Sequence, residues 1–156
     1  ASVSRHLGLA LEGADKTEHG HCRMTLKADK GRSGVHIDPA FYSGILYLSH
    51  PEDCARTGAG GTDFFRHKRT GLERVPANGA ELAASGYADL DTLVGDVVNK
   101  DTTQPGKWER VMRVPMRFNR LVLFSPWQFH NAAPGFGTDA ESARLVMLLF
   151  FGRAAG

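Results

Sequence analysis

No apolar run in this chain outlasts LVMLLFF, residues 145–151, and even that run is hemmed by Arg144 and Gly152. Such a run suits a strand and falls far short of the roughly 18 residues a membrane-spanning helix needs. The other apolar stretches are shorter, mostly alternate with polar residues, and are punctuated by 18 glycines and 7 prolines in 156 residues. That rhythm favours short strands joined by tight turns over long helices. A chain of this length closes one core, so residues 1–156 are read as a single domain.

HCRMTLKA, residues 21–28, reads as a strand half-buried on the face of Cys22, Met24 and Leu26. DKGRSG is a turn, and VHID is a brief extended piece that Pro39 helps to end. YSGILYLS (42–49) and TDFFRHK (62–68) read as strands, with PEDCARTGAGG between them as a loop. WERVMRVP, NRLVLFSPWQF (119–129) and ARLVMLLFFGR continue the series, and HNAAPGFGTDAES turns between the last two. Residues 69–107 break the pattern, because Leu90, Leu93, Val94 and Val97 recur at helical spacing. The expectation is a mainly β, largely antiparallel jelly-roll (double-stranded β-helix) or related barrel, with a helical insertion at 69–107.

The formal net charge of +2 is too mild to suggest a nucleic-acid partner. The densest basic run, RHKR at 66–69, reads as a solvated strand end. Cys22 and Cys54 stand in no metal-binding or redox spacing, which suits a reducing compartment, and the N-terminus lacks a signal-peptide layout. A soluble cytoplasmic protein without a membrane partner is therefore expected. The chain opens at Ala1 without a methionine, as a processed or trimmed segment would.

The chemistry gathers in SGVHIDPAFYSGILYLS, residues 33–49. His36 and Asp38, two residues apart on an extended chain, project to one face. Alone this pair is weak evidence. His130, at the end of NRLVLFSPWQF, adds a second imidazole. Two imidazoles and one carboxylate make a facial triad, which leaves coordination positions open on iron(II). His6, His19, His21, His50 and His67 read as surface or structural residues. Arg144 opens an apolar strand, and three readings stand for it: a solvated strand end, an internal ion pair with Asp139 or Glu141, or a partner for a ligand's carboxylate.

In this order the residues resemble the iron(II)- and 2-oxoglutarate-dependent dioxygenases, in particular the prolyl-hydroxylase-like branch: His36-x-Asp38, a distal His130, then a basic residue, Arg144. ILYLS, GGTDFF and NRLVLFSPWQFHNAAP resemble flanking segments of that family, and the likeness covers roughly residues 21–69 and 108–152. The resemblance implies that His36, Asp38 and His130 bind Fe(II). It implies that Arg144 and Tyr47 bind the distal carboxylate of 2-oxoglutarate, with O2 as second co-substrate and ascorbate as a stimulant. The implied activity is hydroxylation of an amino acid, a peptide side chain or a small metabolite, releasing succinate and CO2. A carboxylate at Asp38 favours hydroxylation over halogenation, with desaturation or ring closure open. Arg153 does not supply the second arginine of nucleic-acid demethylating relatives.

Residues 69–107 fall where such proteins often carry a lid over the substrate, and a surface insertion is the other reading. Trp127 and Arg66 are candidate substrate contacts, beside Arg113 and Arg117. The alternatives are a non-catalytic jelly-roll that binds a ligand, and a cupin-like metalloenzyme that makes no use of 2-oxoglutarate. Oligomeric state is left open.

Overall fold

The computed structural model describes residues 2–29, 34–57 and 59–154, so most of the turn expected at 29–34 lies outside the described residues. The protein is mainly β, built from two antiparallel sheets. The longest strand, β8 (Arg144–Arg153), is the LVMLLFF run. It pairs on one side with β3 (Tyr42–Tyr47) and on the other with two short strands, β1 (Leu11–Gly13) and β2 (Cys22–Thr25). β6 (Leu121–Phe124) completes that sheet beside β3. The second sheet has the order β5 (Trp108–Val114), β4 (Thr62–His67), β7 (His130–Ala132). From β5 onward the chain changes sheet with every strand.

Alternation along β3 and β8 sets the inner face. Ser43, Ile45 and Tyr47 stand opposite Phe150, Leu148 and Val146, so these side chains share one face. Tyr47, Val146 and Leu148 pack with Met116 and Phe136 in one core cluster, and Ile45 and Phe150 lie against it. A second cluster, of Val35, Val75, Leu93, Val97, Val98, Trp108 and Phe129, lies under the segment that carries His36.

The insertion at 69–107 supplies much of that second core. Two short helices, α3 (Gly79–Ala84) and α4 (Leu90–Leu93), are capped by Asn78 and Asp89, whose side chains accept from the backbone N–H groups of Glu81 and Thr92. After α4 the chain winds as a π-helix over Val94–Asn99 and buries the adjacent Val97 and Val98. Helical character here is as the spacing suggested. Two further ties fasten the insertion. Buried His67 Nε2 lies 3.0 Å from Asp101 Oδ2, and Val35 N–H donates to the Thr102 carbonyl at 2.9 Å. The segment is thus a buttress packed into the core.

Several expectations change. PEDCART, read as loop, is a helix, α2 (Pro51–Thr57), opened by Pro51 with Glu52 and Asp53 in its first turn, which suits a helix start. The N-terminal segment holds a helix, Ser2–Leu7, and β1. The strand read across 119–129 stops at Phe124, before Pro126, and the turn read at 130–142 begins as strand β7. β2 exists, but it is exposed rather than half-buried, with Met24 at 50% exposure. Both cysteines are free, Cys22 exposed and Cys54 buried. No helix among the described residues is long and apolar enough to cross a membrane.

If the insertion is part of the core, Leu93→Ala, at a fully buried site, should cost about 2–5 kcal/mol in denaturant unfolding. Leu90→Ala, at an exposed one, should stay within about 0.5 kcal/mol. Equal costs would contradict the buttress.

Candidate metal centre

His36 and His130 come from different parts of the chain and are joined by backbone. Each donates its N–H to the other's carbonyl, at 3.0 and 3.1 Å, in an isolated antiparallel bridge. Asp38 follows two residues on, and its N–H donates to the Pro126 carbonyl at 3.0 Å. Donor atoms of His36, Asp38 and His130 therefore converge within 4.8 Å of one another. His130 Nε2 lies 3.2 Å from Asp38 Oδ2, and His36 Nε2 lies 3.6 Å from Asp38 Oδ1. The rings sit 4.5 Å apart between centroids.

The surroundings hold each donor ready. His36 Nδ1–H donates to the Gly34 carbonyl at 2.9 Å, and His130 Nδ1–H to that of Gln128 at 2.8 Å. Such bonds fix the tautomer and leave both Nε2 lone pairs for a cation. Ser43 Oγ donates to Asp38 Oδ2 at 2.6 Å. Burial, and then the neighbouring His130, push the His36 imidazole below its usual pKa. Burial alone would raise the Asp38 carboxyl, yet the His130 contact, followed by the Ser43 hydrogen bond and His36, holds it below the usual carboxylate range. Two imidazoles and a carboxylate suit a divalent transition metal.

The cluster opens into a cavity of about 1100 Å³. Arg144 lines the same cavity and is 2% exposed. Its Nη2–H donates to the Gly61 carbonyl at 3.1 Å, and its Nε has no partner among the described residues. Among the described residues no carboxylate meets it. Asp139 instead accepts from Ser142 N–H, so the solvated and ion-paired readings of Arg144 both give way to a buried, unneutralised guanidinium. Burial lowers its pKa, while Tyr47 acts in the opposite sense. Gly61 reaches this position at φ +93°, where a Cβ would collide with the Val114 carbonyl, so the GG pair of GGTDFF has a steric reason.

The remaining candidates fall elsewhere. Tyr47 is fully buried, and its hydroxyl lies 2.8 Å from Thr62 Oγ1 and 3.4 Å from the Val114 carbonyl. It is not a cavity-lining residue. Arg66 is exposed and bonds Glu73 and Glu109, and Trp127 is 45% exposed; neither lines the cavity. No residue of 69–107 lines it either. Arg113 grips Asp63, a lining residue, through Nε and Nη2 at 2.5 and 2.6 Å, which neutralises that carboxylate. Sequence reading missed Ser43, Asp63 and Arg23 in the cavity wall. Alternation gave no signal for Arg23, since it puts that residue on the face opposite Cys22, Met24 and Leu26, the face read as buried.

Fold and site together define a mainly β, two-sheet protein with a His–Asp–His cluster and a buried arginine facing one cavity. The chain belongs to the family of unknown function DUF6445, which it matches over residues 33–151. No curated protein and no solved structure matches it.

If the three side chains act as one claw, His36→Ala, Asp38→Ala and His130→Ala should each weaken Mn(II) or Fe(II) binding more than Ser43→Ala does. The serine change should cost about tenfold, as loss of an orienting hydrogen bond does. Wild-type affinity in any of the three alanine variants, measured by calorimetry, would contradict the assignment.

Proposed function

We propose that this protein is an iron(II)- and 2-oxoglutarate-dependent oxygenase on a double-stranded β-helix, hydroxylating an amino acid, a peptide side chain or a small metabolite. The observation that carries the reading is Arg144: a buried guanidinium without a carboxylate, facing the cavity that holds the His–Asp–His cluster. Burying such a charge is costly unless a ligand supplies the missing anion. A small dicarboxylate with one end on the metal and the other on Arg144 fits that need, and a dioxygen-activating metal fits a donor set with open positions. The chain's passage from sheet to sheet after β5 is compatible with the jelly-roll form.

In this reading His36, Asp38 and His130 hold the metal, and Ser43 keeps Asp38 oriented. Arg144 binds the distal carboxylate of 2-oxoglutarate, with the Gly61 carbonyl fixing the guanidinium plane. Ile45, Val146 and Leu148 line the cavity and shield the co-substrate's methylenes from water. Iron(II), when bound, supplies the redox chemistry that couples decarboxylation of 2-oxoglutarate, to succinate and CO2, with oxidation of a substrate C–H bond. Tyr47 keeps its hydroxyl on Thr62 and serves the core between the sheets.

Calorimetry on the Mn(II)-loaded protein tests this. Arg144→Ala should weaken 2-oxoglutarate binding by roughly thirtyfold or more, the scale for losing a buried charged partner. Pyruvate, which lacks the distal carboxylate, should bind wild type and variant alike. Unchanged 2-oxoglutarate affinity in Arg144→Ala would overturn the reading even with the metal assignment intact.

A further inference from the structure

A second cation shares the cavity with Arg144 and has no part in the reading above. Arg23 sits on β2 directly opposite Val146 of β8, and Thr25 stands opposite Arg144. Residues paired across antiparallel strands project to the same face. Since Val146 and Arg144 line the cavity, Arg23 and Thr25 project there too, and both are lining residues. Arg23 and Arg144 are thus diagonal neighbours on one face, a relation that sets residues ~7–8 Å apart.

The two guanidinium groups are treated differently. Arg144 is buried without a carboxylate, whereas the Arg23 side chain is 52% exposed and its Nη2 meets Glu18 Oε2 at 2.5 Å. Glu18 is itself 55% exposed and is not a lining residue. The other acidic groups of the wall are engaged. Asp38 belongs to the metal cluster, Asp63 is gripped by Arg113, and Asp29 accepts from the Leu26 N–H.

The cavity, about 1100 Å³, is at or above the ~300–1000 Å³ typical of a site for one small ligand. It has room for a second ligand beside a bound dicarboxylate. Apolar side chains, Phe65 and Phe150 among them, complete the wall.

We propose that Arg23 determines substrate specificity by receiving a carboxylate carried by the primary substrate, and that Glu18 holds its guanidinium until that carboxylate arrives. The substrate class is then a carboxylic acid with an apolar body, bound beside the co-substrate. An exposed ion pair contributes little, so exchanging the Glu18 carboxylate for the substrate's is easy, and the carboxylate already on Arg23 shows the chemistry the site accepts. This inference rests on the oxygenase reading for the occupancy of Arg144.

The test uses saturation-transfer NMR on the Zn(II)-loaded protein saturated with 2-oxoglutarate, with benzoate and benzamide as probes of equal shape and different charge. Benzoate should bind more tightly than benzamide. Its affinity should fall roughly fivefold or more in Arg23→Gln, as loss of a charge-assisted bond requires. It should recover in part in Arg23→Lys and rise in Glu18→Gln. Equal binding of the two probes, or benzoate binding indifferent to Arg23→Gln, would overturn the proposal. Unchanged affinity in Glu18→Gln would overturn the holding role of Glu18. Signals of 2-oxoglutarate in the same spectra judge the other reading separately. If they are missing in wild type or unaltered in Arg144→Gln, the co-substrate assignment falls, while the comparison at Arg23 still decides this proposal.

Discussion

A guanidinium removed from water with one carbonyl for a partner is among the costlier things a small domain can hold, and Arg144 is in that state. It stands at the start of the central strand, opposite Thr25 of β2, and is 2% exposed. The carbonyl it does meet is delivered by a glycine pair whose backbone no other residue would adopt easily. A scaffold built only for stability would place a leucine here. The arrangement makes sense when an anion entering the cavity completes it, which is why function is read from this residue before any other.

The metal cluster obeys a related constraint. Three donors within 4.8 Å of one another are held there by backbone more than by side chains. The reciprocal bridge between His36 and His130 joins a short extended segment to the start of β7, and the Asp38 N–H is tied to Pro126. Beneath the bridge lies the core cluster to which the insertion contributes Val75, Leu93, Val97 and Val98. Val35, next to His36, packs in that cluster and is clamped by Thr102 on both its backbone N–H and its carbonyl. Residues 69–107 therefore act on the site from behind, by fixing where His36 stands, and the wall of the cavity is drawn from the strands and the segments beside them.

What could be read in the sequence was what local geometry determines. Two polar residues at i and i+2 before an alternating run do meet on one face, and the distal histidine does lie against them, although it opens β7 rather than following a strand that runs to Phe129. Arg144 stood out because a charge opening LVMLLFF conflicts with the pattern around it. The misreadings have separate causes, each in packing or chain ends that lie beyond local pattern. β2, read as half-buried on the face of Cys22 and Met24, borders an open cavity through Arg23, Met24 and Thr25, and Met24 stays 50% exposed. Tyr47 comes from the family resemblance and not from the local pattern, and its hydroxyl lies 2.8 Å from Thr62 Oγ1. The helix at Pro51–Thr57 was hidden by prolines and glycines that mark its ends rather than its absence.

The most direct test of the central claim is an anaerobic titration of 2-oxoglutarate into the Fe(II)-loaded protein, followed by visible absorption. The account expects the weak charge-transfer band of a metal-chelated 2-oxo acid to grow to saturation in wild type. With Arg144→Ala it should be absent at the same concentrations. Iron binding without any band would contradict the account and leave a metal site with a different ligand; an equal band in both proteins would separate the metal from the arginine on which the argument rests.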